Sequence, residues 1–124
     1  MTKGGVPMAK MYCQWVGIIL IVLGILGFLI PGGIMTLQFT TTHNLVHLVS
    51  GVILVYFGLT GTAVKTGAQV FGVIYTLVAI LGFVGSGSVA ILNIPVSTLY
   101  NLIHFVVGVL GLYVGFGSSE KATA

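Results

Sequence analysis

The chain has 124 residues, of which 57% are hydrophobic and 4% charged, with four lysines, one acidic residue and a net charge of +3. Soluble domains carry about 25% charged residues, so this composition excludes a water-soluble globular fold and predicts an integral membrane protein. The lysines are scattered and form no basic stripe, which excludes nucleic-acid binding as the meaning of the positive charge.

The first apolar run covers residues 12–30 and follows Lys3 and Lys10, an arrangement that signal peptides share. The run is long for a signal peptide, and no small-x-small cleavage pattern follows it. It also matches a later run at a constant offset, which pairs Gly17, Gly27 and Phe28 with Gly72, Gly82 and Phe83. We therefore predict that the first run is a retained span.

Three more apolar runs lie at residues 44–60, 68–85 and 98–116. Like the first, each is close to the ~20 residues that cross ~30 Å of hydrocarbon. The segments between the runs are rich in Gly, Pro, Ser and Thr, which is typical of loops. Thr36, Thr40, Thr41 and Thr42 are expected to cap the second run and satisfy its first amides, with Thr42 or His43 near the N-cap. The runs are too long for barrel strands, so we predict an all-α fold of four transmembrane helices.

The second and fourth runs share the pattern Asn-x-x-His-x-x-x-Gly, at residues 44–51 and 101–108. A repeat of this length in a short chain indicates one structural unit used twice. We predict two tandem helical hairpins, with an internal repeat over 12–60 and 68–116. Both hairpins belong to a single integral membrane domain that covers residues 1–124.

Four spans place both termini and the segment 61–67 on one side of the membrane. Every lysine falls on that side: Lys3, Lys10, Lys65 and Lys121. The other two connections carry no charge, so the positive-inside rule predicts that both termini are cytoplasmic. Most aromatic residues lie near the same ends of the spans, namely Tyr12, Trp15, Tyr56, Phe57, Phe71, Tyr75, Tyr113 and Phe116.

Small residues recur seven positions apart along the spans, and Gly111 lies four residues before Gly115, so that they share one helix face. Membrane helices use such faces to bring their backbones close together. The pattern predicts a four-helix bundle packed through Gly17, Gly24, Gly51, Gly58, Gly72, Gly108, Gly111 and Gly115.

The polar pair of each motif lies on this packing face. Asn44, His47 and Gly51 form one helical stripe, and Asn101 and His104 occupy the same positions in the fourth span. We expect both pairs to face the interior of the bundle. A neutral imidazole both donates and accepts hydrogen bonds, so all four side chains are predicted to make interhelical polar contacts.

Two other roles for the histidines compete with this structural one. His47 and His104 could ligate a haem b or a chlorophyll-type pigment across the bundle. His43 and His47 are four residues apart, and His104 could complete a three-histidine metal site. We predict no metal site, because Tyr100 stands where the second motif would need the counterpart of His43, and because His43 lies at the boundary of its span.

The sequence does not predict an enzyme. Its one acidic residue, Glu120, follows the last span, so no Ser-His-acid set can form within the membrane. Ion or proton pathways usually show charged residues inside spans, and there are none here. We expect a small non-catalytic protein, a structural or accessory component that packs with itself or with a larger membrane complex.

The two Asn-x-x-His-x-x-x-Gly helices resemble a family of small bacterial four-helix membrane proteins that is classed as a domain of unknown function. Residues 101–108 are the more typical copy, and the third span from Val70 to Tyr75 also looks familiar. The resemblance covers residues 12–116. It implies a bacterial inner-membrane location and marks the Asn and His residues of both motifs as characteristic, but this family has no settled function.

Overall fold

The structure is a computed structural model that describes residues 8–34, 38–85, 88–89 and 94–117. The described residues include four helices that are long and apolar enough to cross a membrane. They are α1 (Met8–Leu29), α2 (Thr41–Thr60), α3 (Val64–Val84) and α4 (Thr98–Leu112), which continues as a π-helical turn at Tyr113–Gly117. The predicted all-α bundle of four transmembrane helices is confirmed.

The start of α2 differs from the predicted run 44–60, although Thr40 is one of the threonines expected to cap it. Thr40 is the N-cap, and its hydroxyl accepts a hydrogen bond from the His43 amide at 3.2 Å. The helix therefore begins earlier than a cap at Thr42 or His43 allows. It ends at Thr60, the last residue of the predicted run, and is followed by the C-cap Gly61, whose φ of 74° is the left-handed conformation of many helix C-caps. Ala63 is also left-handed, and α3 starts at the next residue, so the connection is shorter than predicted.

The connection between α3 and α4 contains a short strand pair where the sequence predicts only a loop. Strand β1 (Ser88–Val89) pairs antiparallel with β2 (Ile94–Pro95). Two residues on each side are too few to give a periodic signal in the sequence. The strands lie at the end of the bundle where α4 begins.

Within each hairpin the two helices pack at glycines. α1 lies mainly along α2 and α3 along α4, whereas fewer contacts join the two hairpins. A methyl group at Gly51 would lie 2.7 Å from the Gly17 carbonyl oxygen, and one at Gly111 would lie 2.7 Å from the Gly72 Cα. All the glycines predicted to pack contact a neighbouring helix: Gly17, Gly24, Gly51, Gly58, Gly72, Gly108, Gly111 and Gly115.

A glutamine hydrogen bond recurs at equivalent places in the two hairpins. Gln14 Nε2 donates to the Gly58 carbonyl at 2.9 Å, and Gln69 Nε2 donates to the Gly115 carbonyl at 2.8 Å. The close approach of the glycine backbone brings the carbonyl within reach of the amide. The internal repeat stays a prediction, and this recurrence supports it.

The two hairpins meet in an apolar core that draws on both of them. Its buried members are Ala9, Tyr12, Cys13, Leu20, Leu54, Val64, Ala68, Tyr75 and Val114. Residues of this core also donate hydrogen bonds to the other hairpin: Tyr12 donates its hydroxyl to the Val107 carbonyl at 2.8 Å, and the Cys13 thiol donates to the Val64 carbonyl at 3.4 Å. The interface between the two hairpins, called the seam below, is therefore stabilised near the start of α1 by apolar packing together with these hydrogen bonds.

Replacing Gly51 with Ala tests the close contact between α1 and α2. We expect Gly51→Ala to destabilise the bundle by about 1–3 kcal/mol, because the new methyl group overlaps the Gly17 backbone. Gly32→Ala is the control, since no atom of the described residues, apart from its own chain neighbours, lies within 4 Å of its added carbon. Unfolding by a denaturing detergent, followed by circular dichroism, measures both. Equal stability of the two variants would contradict the packing described.

Candidate functional site

Three histidines lie together inside the bundle. α2 carries His43 and His47 one turn apart, and α4 carries His104; their exposed fractions are 4%, 6% and 5%. The centroid of the His43 ring is 4.2 Å from that of His47 and 5.7 Å from that of His104. The His47 and His104 centroids are 6.5 Å apart. These residues, the histidine cluster, bridge the two hairpins.

The burial of His43 was not expected from its place at the edge of a span. Because Thr40 caps α2, His43 falls in the first turn of the helix and its side chain faces inward. Its ring centroid lies 5.0 Å from that of Tyr100, the residue that occupies the equivalent position in the second motif. The four-residue spacing of His43 and His47 is the sequence signal that places both on one helix face. The presence of Tyr100 at the position equivalent to His43 does not separate His43 from the other histidines, because Tyr100 packs beside it.

Tyr100 covers the histidine cluster on the side of the α3–α4 connection. Its ring stacks on His104, with centroids 5.9 Å apart and an angle of 12° between the planes. Its hydroxyl donates to the Gln38 carbonyl at 2.6 Å, which ties the segment before α2 to the start of α4. Tyr75 of α3 contacts His104 from another side, at 5.6 Å between centroids.

Fully buried ring nitrogens of the histidine cluster are without a hydrogen-bond partner among the described residues. The Nδ1 atoms of His43 and His104 are buried and have no partner in the described part of the chain. A buried polar atom without a partner costs about 1–3 kcal/mol. Such atoms therefore mark a place where a water molecule or another ligand would gain binding energy.

The asparagines of the motifs are buried, but they do not join the histidine cluster. Asn44 packs on Gly27 of α1, and Asn101 packs on Gly82 of α3, so that each contacts the other helix of its own hairpin. A methyl group at either glycine would overlap the amide. Interhelical hydrogen bonds from all four motif side chains stay a prediction, since Asn101 Oδ1 has no partner among the described residues.

The interhelical hydrogen bonds described for the fold come instead from residues outside the motifs. Gln14, Gln69 and Tyr12 donate to backbone carbonyls of facing helices. The repeated Asn and His pattern did not indicate these three residues, because they lie outside the two motifs. The equal offset of Gln14 and Gln69 from the repeat glycines was the signal that could have found them.

Two cavities adjoin the histidine cluster. One of about 200 Å³ borders α2, α3 and α4, and its polar lining consists of His43, His47, Ser50, Tyr75 and His104. The other, of about 90 Å³, has mainly apolar walls from α1 and α4 and also touches His47, Tyr75, Tyr100 and His104. Both are smaller than the ~300–1,000 Å³ of typical organic-ligand pockets. Their size suits an ion, water molecules or a small molecule.

The chain is similar to a known family over its first two helices. The family described as Domain of unknown function (DUF4383) matches residues 1–61, which include His43 and His47. The predicted resemblance to a family of unknown function is confirmed over this stretch, and His104 lies beyond it. No curated protein and no solved structure is significantly similar to the chain. A role for the protein must therefore be argued from its site.

Tyr100→Phe tests the contact that covers the histidine cluster. We expect this variant to lose about 1 kcal/mol of stability, because the Gln38 carbonyl loses its donor while the stacked ring remains. Tyr56→Phe is the control, since Tyr56 is 60% exposed. Detergent-unfolding curves of the two variants, compared with the wild-type protein, give the difference. A Tyr100→Phe curve that overlies the wild-type curve would contradict the role assigned to the hydroxyl.

Proposed function

We propose that the protein is a small, non-catalytic, structural or accessory component of the bacterial inner membrane that packs with itself or with a larger membrane complex. The described residues lie almost wholly in four apolar helices and short connections. A partner would therefore meet the protein mainly within the bilayer. A non-catalytic role is supported by the scarcity of acid–base groups, since Glu120 is the single acidic residue of the sequence.

The observation that carries this proposal is an open groove between α1 and α4, of about 350 Å³. Among its lining residues, Trp15, Tyr113 and Met11 are 61%, 58% and 42% exposed. The packing glycines are already occupied by contacts within the chain. A partner helix would therefore use this groove, where large apolar side chains offer contact area for van der Waals packing.

The orientation with both termini in the cytoplasm belongs to the same proposal. A methyl group at Gly61 would lie 4.0 Å from Lys10 Nζ, so the start of α1 and the α2–α3 connection are at the same end of the bundle. Lys65 is in the first turn of α3 at this end. The remaining lysines and Glu120 lie outside the described residues. The positive-inside rule supports a cytoplasmic location for this end.

Native mass spectrometry of protein released from lipid nanodiscs tests the packing role. We expect the wild-type chain to occur as an oligomer or with a copurified membrane partner. Trp15→Ala should weaken this association, because it removes the largest exposed side chain of the groove. Phe83→Ala is the control, since Phe83 is 51% exposed but does not line the groove. A lone monomer in both lipid and mild detergent would remove the support for the proposal.

The alternative function is binding of a haem b or a chlorophyll-type pigment by His47 and His104. In its favour, the two rings face one interior space from different hairpins, with centroids 6.5 Å apart. Against it, the His43 ring lies within 5.7 Å of both and occupies space that a macrocycle needs. The hairpins would have to separate to admit a macrocycle, so the geometry favours the non-pigment role.

An absorbance spectrum distinguishes the two functions. We expect protein purified from cells supplied with haem precursors to be colourless, because the space between His47 and His104 is too small for a macrocycle. A Soret band that disappears in both His47→Ala and His104→Ala would establish the alternative. Tyr75→Phe is the matched control, since it alters the same cavity without removing a nitrogen ligand.

A further inference from the structure

We propose that His43, His47 and His104 bind one late first-row transition-metal ion, and that monovalent copper is the ion best suited to the site. This goes beyond the packing role, because it concerns the interior of one chain and needs no partner. It also departs from the sequence-based expectation of no metal site. The departure rests on the position of His43, which the sequence placed at the edge of its span.

The arrangement of the nitrogens is close to that of a three-coordinate site. Each histidine offers one ligand atom, and the three atoms lie within 4.8 Å of one another. Nitrogens bound to one ion at ~2.0–2.1 Å are roughly 3.3–3.6 Å apart. The site therefore needs to contract by about an ångström, which small side-chain rotations can supply. His43 and His47 are rigidly spaced because they are one turn apart on α2.

Burial of the imidazoles without hydrogen-bond partners makes ligand binding by their nitrogens favourable. All three are at least nine-tenths buried, and Nδ1 of both His43 and His104 lacks a hydrogen-bond partner among the described residues. The cavity of about 200 Å³ is lined by all three histidines, so an ion can lie between them with room for a water molecule. Coordination through either Nδ1 atom would use a lone pair that has no partner among the described residues.

The charge of the site favours monovalent copper over zinc. Imidazole nitrogens suit both metals, but neutral ligands leave the full charge of the ion inside the membrane. No acidic residue lies in any span to offset it, since Glu120 follows the last one. The cost of burying an ion grows with the square of its charge, so Zn²⁺ costs roughly four times as much as Cu⁺ to desolvate.

The ion would join the two hairpins. His43 and His47 come from the first hairpin and His104 from the second, so coordination bridges a seam that has fewer contacts than either hairpin has internally. A ligand that binds only the folded bundle raises its stability. We therefore expect copper to raise the unfolding temperature as well as to bind.

The test is a titration of the purified full chain with Cu(I) in mild detergent under reducing, oxygen-free conditions. A chromogenic Cu(I) chelator competes for the ion and reports how much the protein takes up. We expect one Cu(I) per chain. His43→Gln, His47→Gln and His104→Gln should each weaken binding by more than roughly 100-fold, because even outer-shell partners of a metal contribute 10- to 100-fold. Tyr56→Phe, at a side chain that is 60% exposed and lines neither cavity, should leave the stoichiometry unchanged.

X-ray absorption of the wild-type protein with bound copper keeps the test independent of variant folding. Three nitrogen scatterers at about 2.0 Å from the copper would support the proposal. Sulfur scatterers would overturn it, since they indicate Cys13 or a methionine instead. Binding that persists in all three histidine variants, or no uptake of copper by folded protein, would also overturn it. Equal or tighter binding of Zn(II) in parallel titrations would overturn the choice of copper. A monomeric protein that binds copper would contradict only the packing role.

Discussion

Close contact between helix backbones at glycines is the constraint on which this structure depends. In lipid, the hydrophobic effect does not drive apolar helices together, so van der Waals contact between closely packed helices must supply the attraction. Gly17 faces Gly51 within one hairpin, and Gly72 faces Gly111 within the other. These contacts use up the small-residue faces inside each hairpin. The seam between the hairpins therefore packs less closely, and that is where the histidine cluster and its cavities lie.

The contrast between the two kinds of interface connects the fold to its possible roles. Inside a hairpin, a methyl group added at a packing glycine would overlap the facing helix, and polar side chains such as Asn44 pack against glycine. Between hairpins, cavities of about 90 and 200 Å³ adjoin three buried imidazoles. A polar atom buried in such a seam without a hydrogen-bond partner costs free energy, which a bound ligand would recover. A metal ion joined to both hairpins, or water, would satisfy them.

Much of the fold could be predicted from the sequence, because length, hydropathy and glycine spacing act locally along each helix. These signals predicted the four spans and the packing glycines. They did not predict the short strands β1 and β2, because two residues per strand are too few to show a hydrophobic period. The histidine cluster could be predicted only in part. His47 and His104 share the repeat, but the inward position of His43 depends on the Thr40 cap, and its neighbours come from α3 and α4. Such contacts are set by tertiary packing, which periodicity does not reveal.

Solid-state NMR on protein labelled with ¹³C and ¹⁵N only at histidine tests the central claim most directly. The chain has three histidines, and all of them belong to the histidine cluster. In lipid bilayers, the structure predicts through-space cross-peaks among all three rings, since their centroids are at most 6.5 Å apart. Cross-peaks between His43 and His47 alone, with His104 isolated from both, would show that the hairpins do not meet at these residues and would contradict the account.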